Sequence, residues 1–434
     1  MMSPRLRGSG LRPDRYAVLP GRRAAPTIAV MTRPAWILLA LLIAAAAGLA
    51  AYRYWPRAAV EPVPSGPAVV WTFEAPRAGG IVAAPWVAND AIYASAFHPH
   101  GFRMTGAVYA IDPATGKRRW AFDAGGRMLA TASAPVLADG RLYVGEGMHG
   151  HFACHLYCLD PKTGEQTWAV ETTDHVESTA TVADGLVYFG AGNDGVYAVD
   201  AATGQERWRF AEDLHVDAQP CVSNGRVIVG SGPSRRYKTL QVVSLDAKTG
   251  EPVWRVDTDI PAWGSPRVAG GRVFVGLGNG RLMEGAKSPE TPRGAVLCLD
   301  EATGEQRWRF DAKDAVFQQP TVDGGRVYFG SRDGNLYCVR AEDGKQVYQV
   351  PMGGPVIAPP TVADGKVYAV TVGGTLRCLD AADRRELWTW DLKARVKFEP
   401  LVFAAVRVAG GRVYVAAEVQ TGSGGSACVY CLEP

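Results

Sequence analysis

Short runs of alternating apolar and polar residues recur along most of the chain. The run at residues 326–330 is typical: it is rich in β-branched and aromatic side chains, and glycine and aspartate stand at its borders. Such runs predict β-strands joined by tight turns. They come in groups of four, so the pattern predicts a repeating unit of four short strands, here named A, B, C and D in chain order.

Strands C and D of each unit carry a sequence signature. In the first complete copy, strand C ends at Asp112, the turn contains Thr115 and Gly116, and strand D reaches Trp120 eight positions after the aspartate. The aromatic residue of strand D occurs eight times, at Trp71, Trp120, Trp168, Trp208, Trp254, Trp308, Tyr348 and Trp388. Strand C also occurs eight times, and self-similarity with a period of about 40–50 residues indicates a propeller, a solenoid or an array.

The two ends of the repeat region complement each other. The copy that ends at Trp71 has no strand C before it, and the copy at residues 429–433 has no strand D after it. Together they make one unit. The sequence therefore predicts an all-β fold over residues 68–434, an eight-bladed β-propeller of four-stranded antiparallel blades, closed by pairing of the N-terminal strand with the C-terminal strands.

The repeated residues suit a structural task. Aspartate and threonine side chains can bond the backbone of the C–D turn, and glycine accepts a positive φ. The indole buries a large apolar surface while its N–H needs an acceptor. We therefore expect the eight aromatic residues to fix each blade against the next.

The motif Asp112-x-x-Thr115-Gly116-x-x-x-Trp120 and its copies resemble the Trp-docking motif of the pyrroloquinoline quinone (PQQ)-type propeller repeats, over about residues 68–434. That family includes quinoprotein alcohol dehydrogenases and the BamB-type outer-membrane assembly lipoproteins, so the resemblance implies the fold without choosing between enzyme and scaffold. The dehydrogenases carry two adjacent cysteines beside the cofactor, and this sequence has no adjacent cysteines. The resemblance therefore points to the BamB-like branch and away from PQQ as a cofactor.

The segment before the repeats has a different character. Residues 35–52 form an apolar run of about 27 Å as a helix, which is close to the hydrocarbon thickness of a bilayer. We expect a basic cytoplasmic segment at residues 1–33, a transmembrane signal anchor at 34–55 and a proline-rich linker at 56–67. This would place the propeller on the periplasmic side of the inner membrane, held by a single span. A cleaved signal peptide is the alternative, and Met31 offers a start site that would leave residues 1–30 untranslated.

Charge limits the class of partner. The formal net charge is +3, yet the first 33 residues hold seven arginines against Asp14 alone, so the remainder is slightly acidic. A nucleic-acid-binding fold more often carries a basic patch. We therefore expect no nucleic-acid partner and instead expect proteins of the cell envelope.

Candidate chemistry lies on the face formed by the B–C loops and D–A connections, where the histidines map. We expect His175 and His215 to begin strand A of the third and fourth blades, where His175 with Glu177 and His215 with Asp217 occupy one register. His149 and Cys154 lie in an adjoining B–C loop. The candidate metal ligands are His149, Cys154, His175, Glu177, His215 and Asp217. Such a set can bind zinc or copper or supply a general base. Polar groups that hold ordered water, or ligand recognition without chemistry, are the alternatives.

The position of Glu177 in the repeat is apolar in most other blades. Its equivalents in other blades are Val82, Ala132, Trp263, Phe317 and Ile357. This asymmetry favours a specific site. The resemblance and the composition together predict a non-enzymatic binding or assembly scaffold. The alternative is a metal- or PQQ-dependent oxidoreductase that uses the rim of blades 1–4.

Overall fold

The computed structural model describes residues 66–81, 83–100, 103–280, 289–421 and 424–434. Within these residues the strands form eight antiparallel sheets, which confirms the predicted eight-bladed propeller. No helix in the described part of the chain has the length and apolar character needed to cross a membrane. The predicted anchor at residues 34–55 and the basic segment before it lie outside the described residues.

The chain enters the fold through strand β1 (Ala68–Ala78) and then builds four blades in succession. Blades 1 to 4 consist of β2 (Trp86–Val87), β3 (Ile92–His100), β4 (Arg103–Ile111) and β5 (Arg118–Phe122); β6 (Val136–Ala138), β7 (Arg141–Gly145), β8 (Phe152–Leu159) and β9 (Gln166–Asp174); β10 (Thr181–Ala183), β11 (Leu186–Gly190), β12 (Val196–Asp200) and β13 (Glu206–Phe210); and β14 (Cys221–Ser223), β15 (Arg226–Gly230), β16 (Gln241–Asp246) and β17 (Pro252–Asp257).

Blades 5 to 7 follow the same order. Their strands are β18 (Arg267–Ala269), β19 (Arg272–Gly278), β20 (Gly294–Asp300) and β21 (Gln306–Ala312); β22 (Thr321–Asp323), β23 (Arg326–Gly330), β24 (Asn335–Arg340) and β25 (Gln346–Pro351); and β26 (Thr361–Ala363), β27 (Lys366–Val370), β28 (Thr375–Asp380) and β29 (Glu386–Asp391). Blade 8 begins with an additional two-residue strand, β30 (Pro400–Leu401), and its strands A, B and C are β31 (Arg407–Ala409), β32 (Arg412–Thr421) and β33 (Gly424–Glu433). A short 3-10 helix, Lys393–Arg395, precedes blade 8.

Blade 8 is closed by the first strand of the fold. β1 takes the strand D position and pairs antiparallel with β33, with Trp71 opposite Cys431 and Phe73 opposite Val429. On the inner side, β31 of blade 8 contacts β2 of blade 1. The predicted closure by strands from both ends of the propeller is therefore confirmed.

The aromatic residue of strand D joins neighbouring blades. Trp208 Nε1 donates to the carbonyl of Ala247 in the next C–D turn at 2.9 Å. Gly250 of that turn has a φ of +76°, and a Cβ there would lie 2.7 Å from the Trp208 ring, so only glycine allows this contact. The same indole bond runs from Trp71, Trp120, Trp168, Trp254 and Trp308 to Pro113, Pro161, Ala201, Glu301 and Ala341.

Strand A is shorter than the sequence pattern predicts. β6 begins at Val136 and β14 at Cys221, each one residue after a proline. Proline has no N–H to donate to a strand ladder, so pairing starts after it. As a consequence, His175 and His215 do not begin strand A, as predicted, but lie in the connections that lead from strand D to strand A.

Candidate metal centre

Two D–A connections and one B–C turn meet on one face of blades 2, 3 and 4. The first D–A connection lies between β9 and β10. It is held to the B–C turn at residues 146–151 of blade 2, because Val176 N–H donates a hydrogen bond to the carbonyl of Glu146 at 2.9 Å. Val216 in the second connection exchanges backbone hydrogen bonds with Gly192, at 3.0 and 3.2 Å. These backbone contacts fix the positions from which His149, His175 and His215 extend.

Three imidazoles surround one carboxylate. His175 Nε2 lies 3.1 Å from Asp217 Oδ1, and His215 Nε2 lies 3.0 Å from Asp217 Oδ2. His149 Nε2 lies 3.4 Å from Asp217 Oδ2 and 3.2 Å from His215 Nε2. One donor atom from each of these four residues lies within 4.8 Å of all the others. His149, His175, His215 and Asp217 are named here the His3Asp cluster.

The spacing of these atoms suits a tetrahedral ion. Zinc binds imidazole nitrogen and carboxylate oxygen at about 2.0–2.2 Å, so neighbouring ligand atoms of a tetrahedron lie about 3.3 Å apart. The four distances given above span 3.0–3.4 Å. Two of these distances run to Asp217 Oδ2 and one to Oδ1, and the chosen donor atoms lie within 4.8 Å of one another, so the side chains would have to close around a bound ion.

The outer nitrogen of each imidazole faces an acceptor. His149 Nδ1 lies 2.9 Å from Glu177 Oε1, His175 Nδ1 lies 2.6 Å from Asp174 Oδ1, and His215 Nδ1 lies 3.2 Å from Asn193 Oδ1. An acceptor at Nδ1 keeps the proton there, so the neutral ring presents the Nε2 lone pair to the centre of the cluster. Metal-binding histidines characteristically have this arrangement.

Burial and charge make the site electrostatically unusual. Both His175 and His215 are buried, whereas the His149 side chain is 57% exposed. Burial lowers the pKa of His175, but hydrogen bonds to Asp174 and Asp217 outweigh it and raise this pKa to about 10. The hydrogen bond to Glu177 raises the pKa of His149. Burial also raises the pKa of Asp217, yet the charge of His215 and hydrogen bonds from both buried histidines bring it well below its usual range. Without an ion, His175 therefore carries a proton on both ring nitrogens at neutral pH, and a bound ion would have to take the place of the proton on Nε2.

Of the six residues predicted as metal ligands, the structure brings four together. Glu177 lies beside them and bonds the backbone N–H and Nδ1 of His149 through one oxygen. Cys154 is not part of the cluster. It is fully buried within blade 2, where burial raises the pKa of its thiol to about 12. Cys154 as a ligand stays a prediction from the sequence, and the grouping of donor atoms does not include it.

Other histidines on this face have separate partners. His155 Nδ1 lies 2.6 Å from Glu146 Oε1, and His151 Nδ1 accepts the Met148 N–H at 3.0 Å. Sequence reasoning missed Asp174 and Asn193, which hold the buried histidines. Asp174 was detectable as the residue that directly precedes His175, whereas Asn193 lies in a turn of the next blade and gave no signal.

The remaining blades present a different rim. The residue four positions before strand A is Glu177 in blade 3 and Asp217 in blade 4, but Trp263, Phe317, Ile357 and Phe403 in blades 5 to 8. Phe317, Ile357 and Phe403 are buried in one apolar cluster, and Trp263 packs against it. The Trp263 ring stands edge-on to His215 at 6.3 Å between ring centroids. The polar and apolar halves of the rim therefore meet at these two residues.

Fold and repeat together define a β-propeller of the quinoprotein type. The chain belongs to the family of the outer membrane protein assembly factor BamB, whose model matches residues 64–153, 104–218, 192–285 and 292–428. No curated protein sequence matches the chain.

Solved structures of several kinds share the fold. BamB from Moraxella catarrhalis aligns with a TM-score of 0.61 at 15% identity, over 85% of this chain and 100% of that one. The computationally designed Ika8 protein aligns with a TM-score of 0.64 at 14% identity, over 83% and 99%. Quinohemoprotein alcohol dehydrogenase from Comamonas testosteroni aligns with a TM-score of 0.63 at 16% identity, over 85% and 77%. At these identities the likeness concerns the fold, which hosts an assembly factor and an enzyme alike.

Proposed function

We propose that this protein is a zinc-binding, non-enzymatic scaffold of the cell envelope. The observation that carries the proposal is the convergence of three imidazole Nε2 atoms on the Asp217 carboxylate, with an acceptor at every Nδ1. The family, whose model is named for an assembly factor, supports a binding role among envelope proteins. The apolar run at residues 35–52 supports a single span in the inner membrane with the propeller in the periplasm.

Zinc suits the ligand set better than copper does. The cluster offers three imidazoles and a carboxylate at distances close to the edges of a tetrahedron, the geometry zinc adopts, whereas copper(II) prefers a square-planar or tetragonal arrangement. Four protein ligands also fill a tetrahedral zinc ion, as in structural sites, while catalytic sites leave one position open. The ion would tie the exposed turn that bears His149 to two buried connections.

The rival hypothesis is a PQQ-dependent oxidoreductase, which the fold family would allow. PQQ is a tricarboxylated quinone and needs hydrogen-bond donors or cations around it. The inner rim of blades 5 to 8 instead presents Phe317, Ile357 and Phe403, packed together with Trp263. These residues do not fit the cofactor, so we derive no reaction through it.

Metal analysis of the purified full-length chain tests the proposal. After dialysis against zinc-containing and then metal-free buffer, we expect close to one zinc per chain in the wild type and near none in His175→Ala. His155→Ala is the matched control, because His155 pairs with Glu146 outside the cluster. It should keep its zinc. A wild type without zinc would overturn the zinc centre.

A second measurement addresses the non-enzymatic part. The wild type, incubated with PQQ and calcium, should reduce no dye acceptor in the presence of primary alcohols. Turnover that depends on PQQ would favour the oxidoreductase and contradict the scaffold.

A further inference from the structure

We propose that Asn193 is the positioning residue of the metal centre. Its side-chain amide sets the orientation of His215 directly and that of His175 through Asp174. This inference rests on the zinc centre proposed above and adds a residue that coordinates nothing itself. Asn193 lies in the B–C turn of blade 3, between β11 and β12, while the two histidines lie in the connections on either side of that blade.

The orientation of the Asn193 amide follows from its neighbours. Its Nδ2 lies 2.5 Å from Asp174 Oδ2, and its backbone N–H donates to the same oxygen at 3.0 Å. An ionised carboxylate only accepts hydrogen bonds, so the NH2 group must face Asp174. The Oδ1 atom then faces the other way, where it accepts from Ser234 Oγ at 2.6 Å.

This orientation dictates the protonation of His215. The imidazole Nδ1 lies 3.2 Å from Asn193 Oδ1, so Nδ1 must carry a proton to make the bond. The neutral ring then has its lone pair on Nε2, the atom that faces Asp217 and His149. A reversed amide would place its NH2 group against Nδ1 and remove the reason for this tautomer.

Asp174 links the Asn193 amide to the second histidine, His175, and so fixes its orientation as well. While Oδ2 is held by Asn193, Oδ1 accepts from the backbone N–H of His175 at 2.8 Å and lies 2.6 Å from His175 Nδ1. Asp174, His175 and His215 are all buried, so water cannot replace a lost partner easily. One amide therefore holds two ligands that belong to different connections.

The backbone before Asn193 is shaped for this contact. Gly192 has a φ of +50°, and a Cβ there would lie 2.9 Å from His175 Cε1 and 3.0 Å from Asp174 Cγ. The turn must approach the histidine this closely for Asn193 to reach both blades. In the corresponding turn of blade 6, Asp333 takes the place of Asn193. It accepts from the Tyr337 hydroxyl at 2.7 Å and from the backbone N–H of Lys313, in the connection before blade 6, at 3.2 Å, and both partners lie outside the His3Asp cluster.

The test compares Asn193→Ala with Asp333→Ala in the full-length chain. Loss of an outer partner of a metal-bound histidine typically weakens metal binding about 10–100-fold. We expect zinc affinity, measured by competition with a chromophoric chelator, to fall by that factor in Asn193→Ala and to stay at the wild-type value in Asp333→Ala. Far-UV circular dichroism checks that both variants fold.

A tautomer measurement separates positioning from general damage. In long-range 1H–15N spectra, the zinc-loaded wild type should show His215 with its proton on Nδ1, and this resonance should broaden or shift in Asn193→Ala. If Asn193→Ala does not fold, Ser234→Ala removes the hydroxyl that donates to Asn193 and that also accepts from the backbone N–H groups of Arg236 and Tyr237. This variant should weaken zinc binding several-fold.

The outcomes distinguish the two proposals. A wild type that binds no zinc overturns the metal centre. If the wild type binds zinc and Asn193→Ala or Ser234→Ala binds it equally well, with His215 unchanged in the spectra, the centre stands and the positioning role is refuted.

Discussion

The two halves of the ring, blades 1 to 4 and blades 5 to 8, share one backbone plan and differ in chemistry. At the position four residues before strand A, blades 3 and 4 of the first half place Glu177 and Asp217, whereas blades 5 to 8 place Trp263, Phe317, Ile357 and Phe403. Strands A, B and C pair in the same order in every blade, and blade 8 differs only in the extra strand β30 and in taking β1 as strand D. The repeated residues thus build the ring, and the positions that the repeat leaves free decide what each part of the ring can bind.

A second contrast accompanies the first. In blades 1 to 4 the connections are linked by serine hydroxyls: Ser95 donates to the carbonyl of Ser133 at 2.7 Å, Ser133 to Ser178 at 3.0 Å, and Ser178 to Ala218 at 3.1 Å. Around blades 5 to 8 apolar side chains fill the same zone. The first half thus joins neighbouring blades through hydroxyl–carbonyl hydrogen bonds in the zone where the second half uses apolar side chains.

The largest expected effect is one that the two halves should share. Trp208→Ala and Trp308→Ala each remove a buried indole and its bond to the next blade, at 2.9 and 3.0 Å. We expect each to lower the free energy of unfolding by about 3–5 kcal/mol, the usual cost of truncating a buried tryptophan. Urea titration measures this. A much smaller loss in one half would show that the contact between the tryptophan and the next blade does not contribute equally around the ring.

The next effect, a dependence of stability on pH, should arise only from the half of the ring that contains His175. The pKa of His175 is raised to about 10, so in metal-free protein it adds stability that is complete below its unfolded pKa of about 6.5 and is lost as the pH rises toward 10. Urea titrations from pH 6 to pH 10 with a chelator should therefore show wild-type stability falling relative to His175→Gln. A constant difference between the two proteins would contradict the predicted ion pairs.

A smaller effect compares two glycines in corresponding turns. Gly192→Ala forces a Cβ against His175 at a positive φ and should weaken zinc binding several-fold, with about 1 kcal/mol of destabilisation. Gly373 in blade 7 has no atom within 4 Å of the corresponding Cβ position. Gly373→Ala should therefore be neutral in both measurements. Equal effects would mean that the turn geometry, and not the contact with His175, matters.

The smallest expected effect tests the boundary of the cluster. Cys154→Ala should leave zinc stoichiometry and affinity unchanged, because the buried thiol lies outside the His3Asp cluster. Its only expected cost is the loss of some packing inside blade 2, about 1 kcal/mol. Zinc loss in this variant would place the sulfur among the ligands after all.

These contrasts also show what the sequence could predict. The spacing from Asp112 to Trp120 recurs in the other copies. It was enough to predict the number of blades and the closure of the ring, because every copy must bury an aromatic ring against its neighbour. The shared register of His175 and His215 was enough to predict that they lie close together. Cys154 lies outside the group of four donor residues, since proximity along the chain in a B–C loop says nothing about which side of the strand a thiol faces.

Asn193 could not have been predicted in the same way. Its partners, Asp174 and His215, lie 19 and 22 residues away and on either side of its own blade. The repeat predicts where blades lie, but hydrogen bonds between side chains of neighbouring connections depend on side-chain direction within a fraction of an ångström. The close approach of Gly192 to His175, which allows Asn193 to contact both connections, is visible only in the folded structure.

Closure of blade 8 by β1 has a consequence for the order of folding. Residues 68–78 leave the ribosome first among the strands, yet their partner, residues 424–433, is made more than 340 residues later. Contacts so distant along the chain form slowly, and unpaired strands invite wrong pairing meanwhile. Strand β1 is therefore synthesised first and can pair only after β33 has been synthesised. Until the two ends pair, the unfinished ring exposes a free strand edge on each side of the gap.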